Sequence, residues 1–261
     1  LFQYFVDAAI KIADPYSRKV ISEYDQYIPN SVYPGLISYP HGKTTHTVSV
    51  LETNREEYIW QTQNFAAPDN RDLVIYELLI RDFSFRSDYQ TVIDSLPHLK
   101  ELGINAIELM PIIEFDGLLS WGYAPTFFFA VEKFYGPEET LKALIDSCHS
   151  NGIAVIMDVV FNHAFQPNPW LRLYYDKGRD EPTSQSPWFN PEATHPFNVG
   201  YDFNHSSSLV HSMVDRVLDY WTSEFKIDGY RFDLSKGFTQ FNSLGNVGLW
   251  SNYDWDRINN I

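Results

Sequence analysis

From residue 73 onward the chain repeats one pattern: a short apolar run, then a stretch whose apolar residues fall at helical spacing. The runs cover residues 73–80, 104–110, 153–160 and 227–234. Continuous apolar runs of this kind mark strands covered on both faces. Val92, Leu96, Leu99 and Leu102 form a first helical stripe ended by Gly103, in which Pro97 predicts a late start or a kink. Leu141, Leu144, Ile145 and Cys148 form a second, between Pro137 and Gly152. Val210, Met213, Val214, Val217, Trp221 and Phe225 form a third, behind the serine cluster at 206–208. Strands alternating with helices pair in parallel, which makes an α/β fold. A doubly wound sheet would carry a Gly-rich phosphate loop after its first strand, and none follows residue 80. Polar residues gather instead at the C-terminal ends of the runs. That predicts a (β/α)8 TIM barrel, of which about the first four β/α units lie in this chain.

Residues 1–67 lack helical periodicity. Short β-like runs at 2–10, 47–51 and 57–61 sit among Pro29, Pro34, Gly35, Pro40 and Gly42. The stretch 63–70, with Pro68, reads as a linker. We therefore expect part of an N-terminal β-sandwich over 1–67 and the barrel segment over 68–261; so short a stretch holds too few strands for a complete sandwich.

Charge and composition narrow the partners. The 261 residues carry 19 basic and 34 acidic side chains, a net charge of −15, which argues against nucleic acid and anionic membrane surfaces. No apolar run approaches the roughly 20 residues of a membrane-spanning helix. Cys148 is alone, so no internal disulfide is expected. Leu1 follows no basic n-region and no apolar leader, as if the chain had been cut or processed. Cell address stays open, leaning to an extracellular or periplasmic place. Aromatic residues make up 16%, enough to suggest either stacking surfaces for a neutral, hydroxyl-rich ligand such as a sugar or simply an aromatic core.

The last run carries the most chemistry. Strand alternation sends Tyr230, Phe232 and Leu234 outward and points Arg231 and Asp233 inward, at the C-terminal mouth. An inward carboxylate is costly unless paired, and Arg231 is the obvious partner. Such a pair keeps Asp233 ionised, as a nucleophile requires, although a purely structural ion pair would look the same. The third run ends in Asp158-Val159-Val160-Phe161-Asn162-His163, an Asp-Asn-His cluster without transition-metal spacing; Asn162 offers an oxygen suited to calcium.

Together these segments resemble the α-amylase superfamily, glycoside hydrolase family 13. Residues 158–163 look like its first signature and Gly229-Tyr230-Arg231-Phe232-Asp233-Leu234-Ser235-Lys236 like its second. Leu109-Met110-Pro111-Ile112, Trp121-Gly122-Tyr123 and, more weakly, Tyr201-Asp202-Phe203-Asn204 support the match. Residues 13–17 and 74–78 resemble the join between an immunoglobulin-like domain and the barrel in the pullulanase, isoamylase and branching-enzyme branch.

The resemblance implies roles residue by residue. Asp233 matches the nucleophile that forms a covalent glycosyl-enzyme. Arg231 matches the arginine that orients and ionises it, and Asp158 a supporting carboxylate. His163, Tyr123, Trp121 and Lys236 match substrate-binding positions, Tyr123 and Trp121 offering aromatic faces to a glucose ring. No cofactor is required, while a calcium ion near Asn162 is allowed for. The implied function is retaining hydrolysis of α-glucans such as starch, glycogen, pullulan or derived oligosaccharides. An α-glucan transglycosylase of branching-enzyme type and a non-catalytic, carbohydrate-binding or scaffolding relative are the alternatives. Two departures stand out. Lys236 is followed by Gly237, where the family usually has histidine. The acid/base glutamate and a further aspartate are expected after later strands, outside this chain, so the chain by itself is expected to be inactive. Asp254 and Asp256, in a stretch without strand character, are given no catalytic role. The long loop at 167–197, with Trp170, Trp188 and Phe189, reads either as a small insertion whose aromatics stack on glucan, the favoured reading, or as a self-packed loop. The dispersed His41, His46, His149, His195 and His211, like Phe127-Phe128-Phe129, read as surface or packing residues.

Overall fold

The computed structural model describes residues 1–240, apart from 119 and 197, and residue 259; Asp254 and Asp256 lie outside the described residues. Four strands form one parallel sheet: β1 (Ile75–Leu78), β2 (Ala106–Leu109), β3 (Ala154–Val160) and β4 (Gly229–Asp233). Their order is β4-β3-β2-β1, so each strand lies beside the next one in sequence. A doubly wound sheet reverses its strand order at a switch point, and no reversal occurs among the described strands.

Helices α1 (Tyr89–Glu101), α2 (Glu138–Ser150) and α3 (Ser208–Phe225) join these strands. Leu78, Ile107, Leu109, Val155, Met157 and Val159 form the buried face of the sheet, in one core with Leu96 and Leu99 of α1, Leu144 and Ile145 of α2, and Val214 and Trp221 of α3. Each such side chain contributes about 1.5–3 kcal/mol on burial. The register puts Glu77, Glu108, Ile156, Asp158, Arg231 and Asp233 on the opposite face.

α1 departs from the late start that Pro97 suggested. It begins at Tyr89, where the Asp88 carboxylate accepts the Thr91 N–H as N-cap, and continues through Pro97. Pro97 lies on the exposed side, where water can take the carbonyl that its missing N–H leaves unpaired.

Between β2 and α2 an antiparallel hairpin pairs Ile113–Phe115 with Pro125–Val131, with register shifts on both sides of Glu114. Every residue of Pro125–Val131 is buried, Phe127, Phe128 and Phe129 included. The loop after β3 holds a short helix (Pro169–Leu173) and small antiparallel ladders. Its aromatics mostly pack on one another rather than facing a ligand: Trp170 stacks on Trp188 at 4.9 Å and Phe189 on Phe203 at 4.5 Å, with Trp170 and Phe189 buried.

Residues 1–67 contain two small antiparallel pairs, Tyr4–Val6 with Ile10–Ile12 and Val20–Ile21 with Val48–Ser49. The run at 57–61 forms no strand. It belongs to a strap laid over α2 and α3: the Gln61 and Thr62 N–H groups donate to Asp146 at 2.7 and 2.8 Å, satisfying backbone donors that no ladder takes up. Arg55 bridges Glu138 and Glu224, the Lys226 ammonium lies over Trp60, and Phe65 stacks on His149 at 4.2 Å.

Candidate active site

Arg231 on β4 stands directly opposite Asp158 on β3 in the parallel register. Its Nη1 donates to Asp158 Oδ1 and Oδ2 at 3.1 and 3.0 Å and to Asp233 Oδ1 at 2.6 Å. One guanidinium thus bridges two carboxylates through charge-assisted hydrogen bonds. The two acids differ in access. Asp158 is fully buried, whereas the Asp233 side chain is 24% exposed and its Oδ2 has no partner among the described residues.

Tyr123, brought over by the hairpin loop, donates its hydroxyl to Asp158 Oδ2 at 2.7 Å. Burial pushes the Asp158 carboxyl up to about 6, against the pull of the Tyr123 hydrogen bond and the Arg231 charge. The turn that delivers Tyr123 depends on Gly122, at φ 96°, where a Cβ would sit 2.5 Å from the Pro111 carbonyl oxygen. Trp121, beside it, is 59% exposed at the mouth.

His163 lies beneath Tyr123. Its Nε2 meets the Tyr123 carbonyl at 2.9 Å and its Nδ1 meets the Asn162 amide nitrogen at 2.9 Å, so Nδ1 accepts and Nε2–H donates. Burial lowers the imidazole's affinity for a proton, which suits this neutral form. The ring is therefore fully engaged within the protein. Lys236 is exposed on the single turn Ser235–Phe238, directly after Leu234, which is held at φ 49°. A leucine in the left-handed region costs about 1–2 kcal/mol, strain of a kind that concentrates at functional sites.

Asn162 Oδ1 is buried without a hydrogen-bond partner, which makes it the atom to test as a cation ligand. Asp202, the carboxylate bound to the neighbouring His195, accepts at both oxygens: Oδ1 from His195 Nε2 at 2.9 Å and Oδ2 from the Asn190 amide at 2.7 Å. A neutral amide oxygen beside an imidazole and a committed carboxylate does not fit a hard divalent ion, which asks for six or more oxygens. No group of three or more His, Cys, Asp or Glu is placed to hold a metal among the described residues. The same crowding explains Gly237: a Cβ there would lie 1.5 Å from Asn162 Oδ1 and 3.0 Å from His195 Nε2.

Sequence reasoning passed over Glu77 and Glu108. They pair across β1 and β2 on the face that carries Arg231, and burial, then Glu77, raises the Glu108 carboxyl. Each interrupts an apolar run at the alternate position, a signal that strand alternation could have used.

The family description "Alpha amylase, catalytic domain" matches residues 53–207. The chain is 30% identical over 233 residues to a malto-oligosyltrehalose trehalohydrolase of Saccharolobus solfataricus, covering 89% of this chain and 36% of the relative. It is 29% identical over 288 residues to chloroplastic isoamylase 1 of Arabidopsis thaliana, covering 98% of this chain and 34% of the relative. Among solved structures, the maltose complex of pullulanase type I from Bacillus subtilis superposes with a TM-score of 0.62 at 23% identity, covering 87% of this chain and 33% of that one, a likeness of fold. The chain thus spans about a third of the length of the relatives it matches. With the catalytic-domain match over more than half of its residues, the chain belongs to the α-amylase family of glycoside hydrolases.

Proposed function

We propose that the protein to which this chain belongs is a retaining glycoside hydrolase acting on α-glucans, with Asp233 as its nucleophile. One observation carries this reading: at the C-terminal end of β4, Asp233 has one oxygen held by Arg231 and the other facing solvent. In the retaining reaction the free oxygen attacks the anomeric carbon and the leaving oxygen takes a proton from a second carboxyl about 5–5.5 Å away. We assign that acid/base glutamate to a part of the protein outside this chain, since its relatives are about three times as long.

The neighbouring groups divide the work. Arg231 holds Asp233 Oδ1 and aims the carboxylate. Asp158 anchors the arginine from beneath, and Tyr123 fixes Asp158 while presenting its ring to the sugar. Trp121 adds an exposed aromatic face, and Lys236 a donor beyond the nucleophile. His163 reaches sugar only by releasing the Tyr123 carbonyl. The four strands are, in this reading, the first half of an eight-stranded barrel over 68–261, preceded by part of a β-sandwich over 1–67, and the chemistry needs no cofactor. An α-glucan transglycosylase would use the same covalent intermediate, with a sugar hydroxyl replacing water.

The test is Asp233→Asn in the full-length protein, assayed on starch and pullulan for new reducing ends. Activity should fall by about 10⁴-fold or more, with thermal unfolding unchanged. Substantial residual turnover would remove Asp233 from the nucleophile's role. Shuffled chain lengths without new reducing ends would select the transglycosylase.

A further inference from the structure

A cavity of about 320 Å³ lies between the N-terminal segment and the loop after β3. Lys11, His46, Gln166, Arg172, Tyr175 and Lys177 line it. In a chain with 34 acidic against 19 basic side chains, this wall is unusual. None of Lys11, Arg172 and Lys177 is ion-paired with a carboxylate among the described residues. Arg172 is held in place all the same. Its Nε and Nη2 donate to the Lys11 carbonyl at 3.3 and 3.2 Å, and Nη1 has no acceptor among the described residues. His46, at φ 66°, is fixed through its carbonyl by the Tyr39 hydroxyl at 2.8 Å.

Desolvation and then the charges of Arg172 and Lys177 lower the proton affinity of His46, with Glu23 opposing them and a smaller push from Lys11, so these groups share one field. Unpaired like charges around a concave space repel one another until an anion enters. A pre-oriented guanidinium with a free edge is the side chain best matched to phosphate oxygens. The cavity is larger than a bare phosphate needs, and Gln166 and Thr45 supply polar groups for hydroxyls.

We propose that this cavity is an anion subsite for a phosphomonoester carried on a sugar, bound through Arg172, Lys11 and Lys177. The phosphoryl group belongs either to a free sugar phosphate or to a phosphorylated glucan chain. The site stands apart from Asp233, and its occupancy is read by binding rather than turnover.

The test is equilibrium binding to the full chain at low ionic strength, with glucose 6-phosphate, phosphorylated maltodextrin, inorganic phosphate and glucose as probes. Glucose 6-phosphate should bind more tightly than inorganic phosphate, and glucose not at all. Arg172→Gln should weaken binding about tenfold and Lys177→Gln about threefold. Lys177 is exposed, so its loss leaves the fold intact and keeps the test valid if Arg172→Gln unfolds. Tighter binding of phosphorylated maltodextrin than of glucose 6-phosphate identifies the glucan as the source, and the reverse a free metabolite. The proposal is overturned if no phosphate-bearing probe binds, if inorganic phosphate outcompetes glucose 6-phosphate, or if Lys177→Gln and Lys11→Gln together leave the affinity unchanged.

Discussion

Two clusters, each with one cation set between carboxylates, differ in access: one faces solvent and the other is sealed. At the end of β4, Arg231 bridges Asp158 and Asp233. Behind the hairpin, Lys133 bridges Glu114 and Asp25, the latter at 3.6 Å, with the Glu132 carboxylate taking the Phe115 and Phe134 N–H groups nearby. Side-chain exposure separates them: 42% for Arg231 against 3% for Lys133. In the sealed cluster burial holds the Glu114 carboxyl well above its ordinary range, in spite of Lys133, and its Oε2 is buried without a hydrogen-bond partner. In the open cluster the oxygen left over belongs to Asp233, whose side chain is 24% exposed. Residue types are nearly the same in both; access alone separates a structural ion pair from one fit for chemistry.

Breaking the sealed cluster should therefore cost stability. Lys133→Met should destabilise the protein by about 3–5 kcal/mol, because the carboxylates left behind have neither a counter-ion nor water; urea unfolding measures it. Arg231→Ala should act mainly on turnover, lowering it by about 10²–10³-fold; water can reach Asp233, and the buried Asp158 keeps the Tyr123 hydroxyl, so the unfolding midpoint should fall less than for Lys133→Met. If Arg231→Ala unfolds the protein instead, the contrast between the clusters fails.

A smaller effect concerns pH. Burial raises the Glu132 carboxyl from 4.5 to about 7, so the folded chain keeps a proton that the unfolded chain has released. The stability this gives is complete below about pH 4.5 and lost as pH rises towards 7. Glu132→Gln, which cannot titrate, should flatten that decline in melting temperature. Smallest should be Tyr123→Phe. It removes one of three hydrogen bonds to Asp158, worth about 1 kcal/mol, and Asp158, still bridged by Arg231, should titrate above 6 in a carboxyl-resolved NMR titration.

Where sequence was readable, local periodicity was the reason. Stripes such as Val210–Met213–Val214–Val217 specify a helix without tertiary information, and alternation along β4 is enough to place Arg231 and Asp233 on one face and Tyr230 and Phe232 on the other. The sealed cluster left no such trace. Asp25, Glu114 and Lys133 come from three separate segments, and the hairpin's shifted register at Glu114 is set by packing rather than composition. Tyr123 reaches Asp158 from 35 residues away, through a turn that only Gly122 permits. The aromatic loop misled for a related reason: a tryptophan that stacks on tryptophan and one that would stack on sugar have the same sequence.

The strap has a consequence in the order of synthesis. Arg55 precedes Glu224, one of its two acceptors, by 169 residues. At roughly 5–20 residues per second, Arg55 leaves the ribosome about ten to thirty seconds before that partner exists. Until then the strap can hold only to α2, through Glu138, Asp146 and His149. Only the emergence of α3 lets it close over both helices, so a segment made early completes its contacts late.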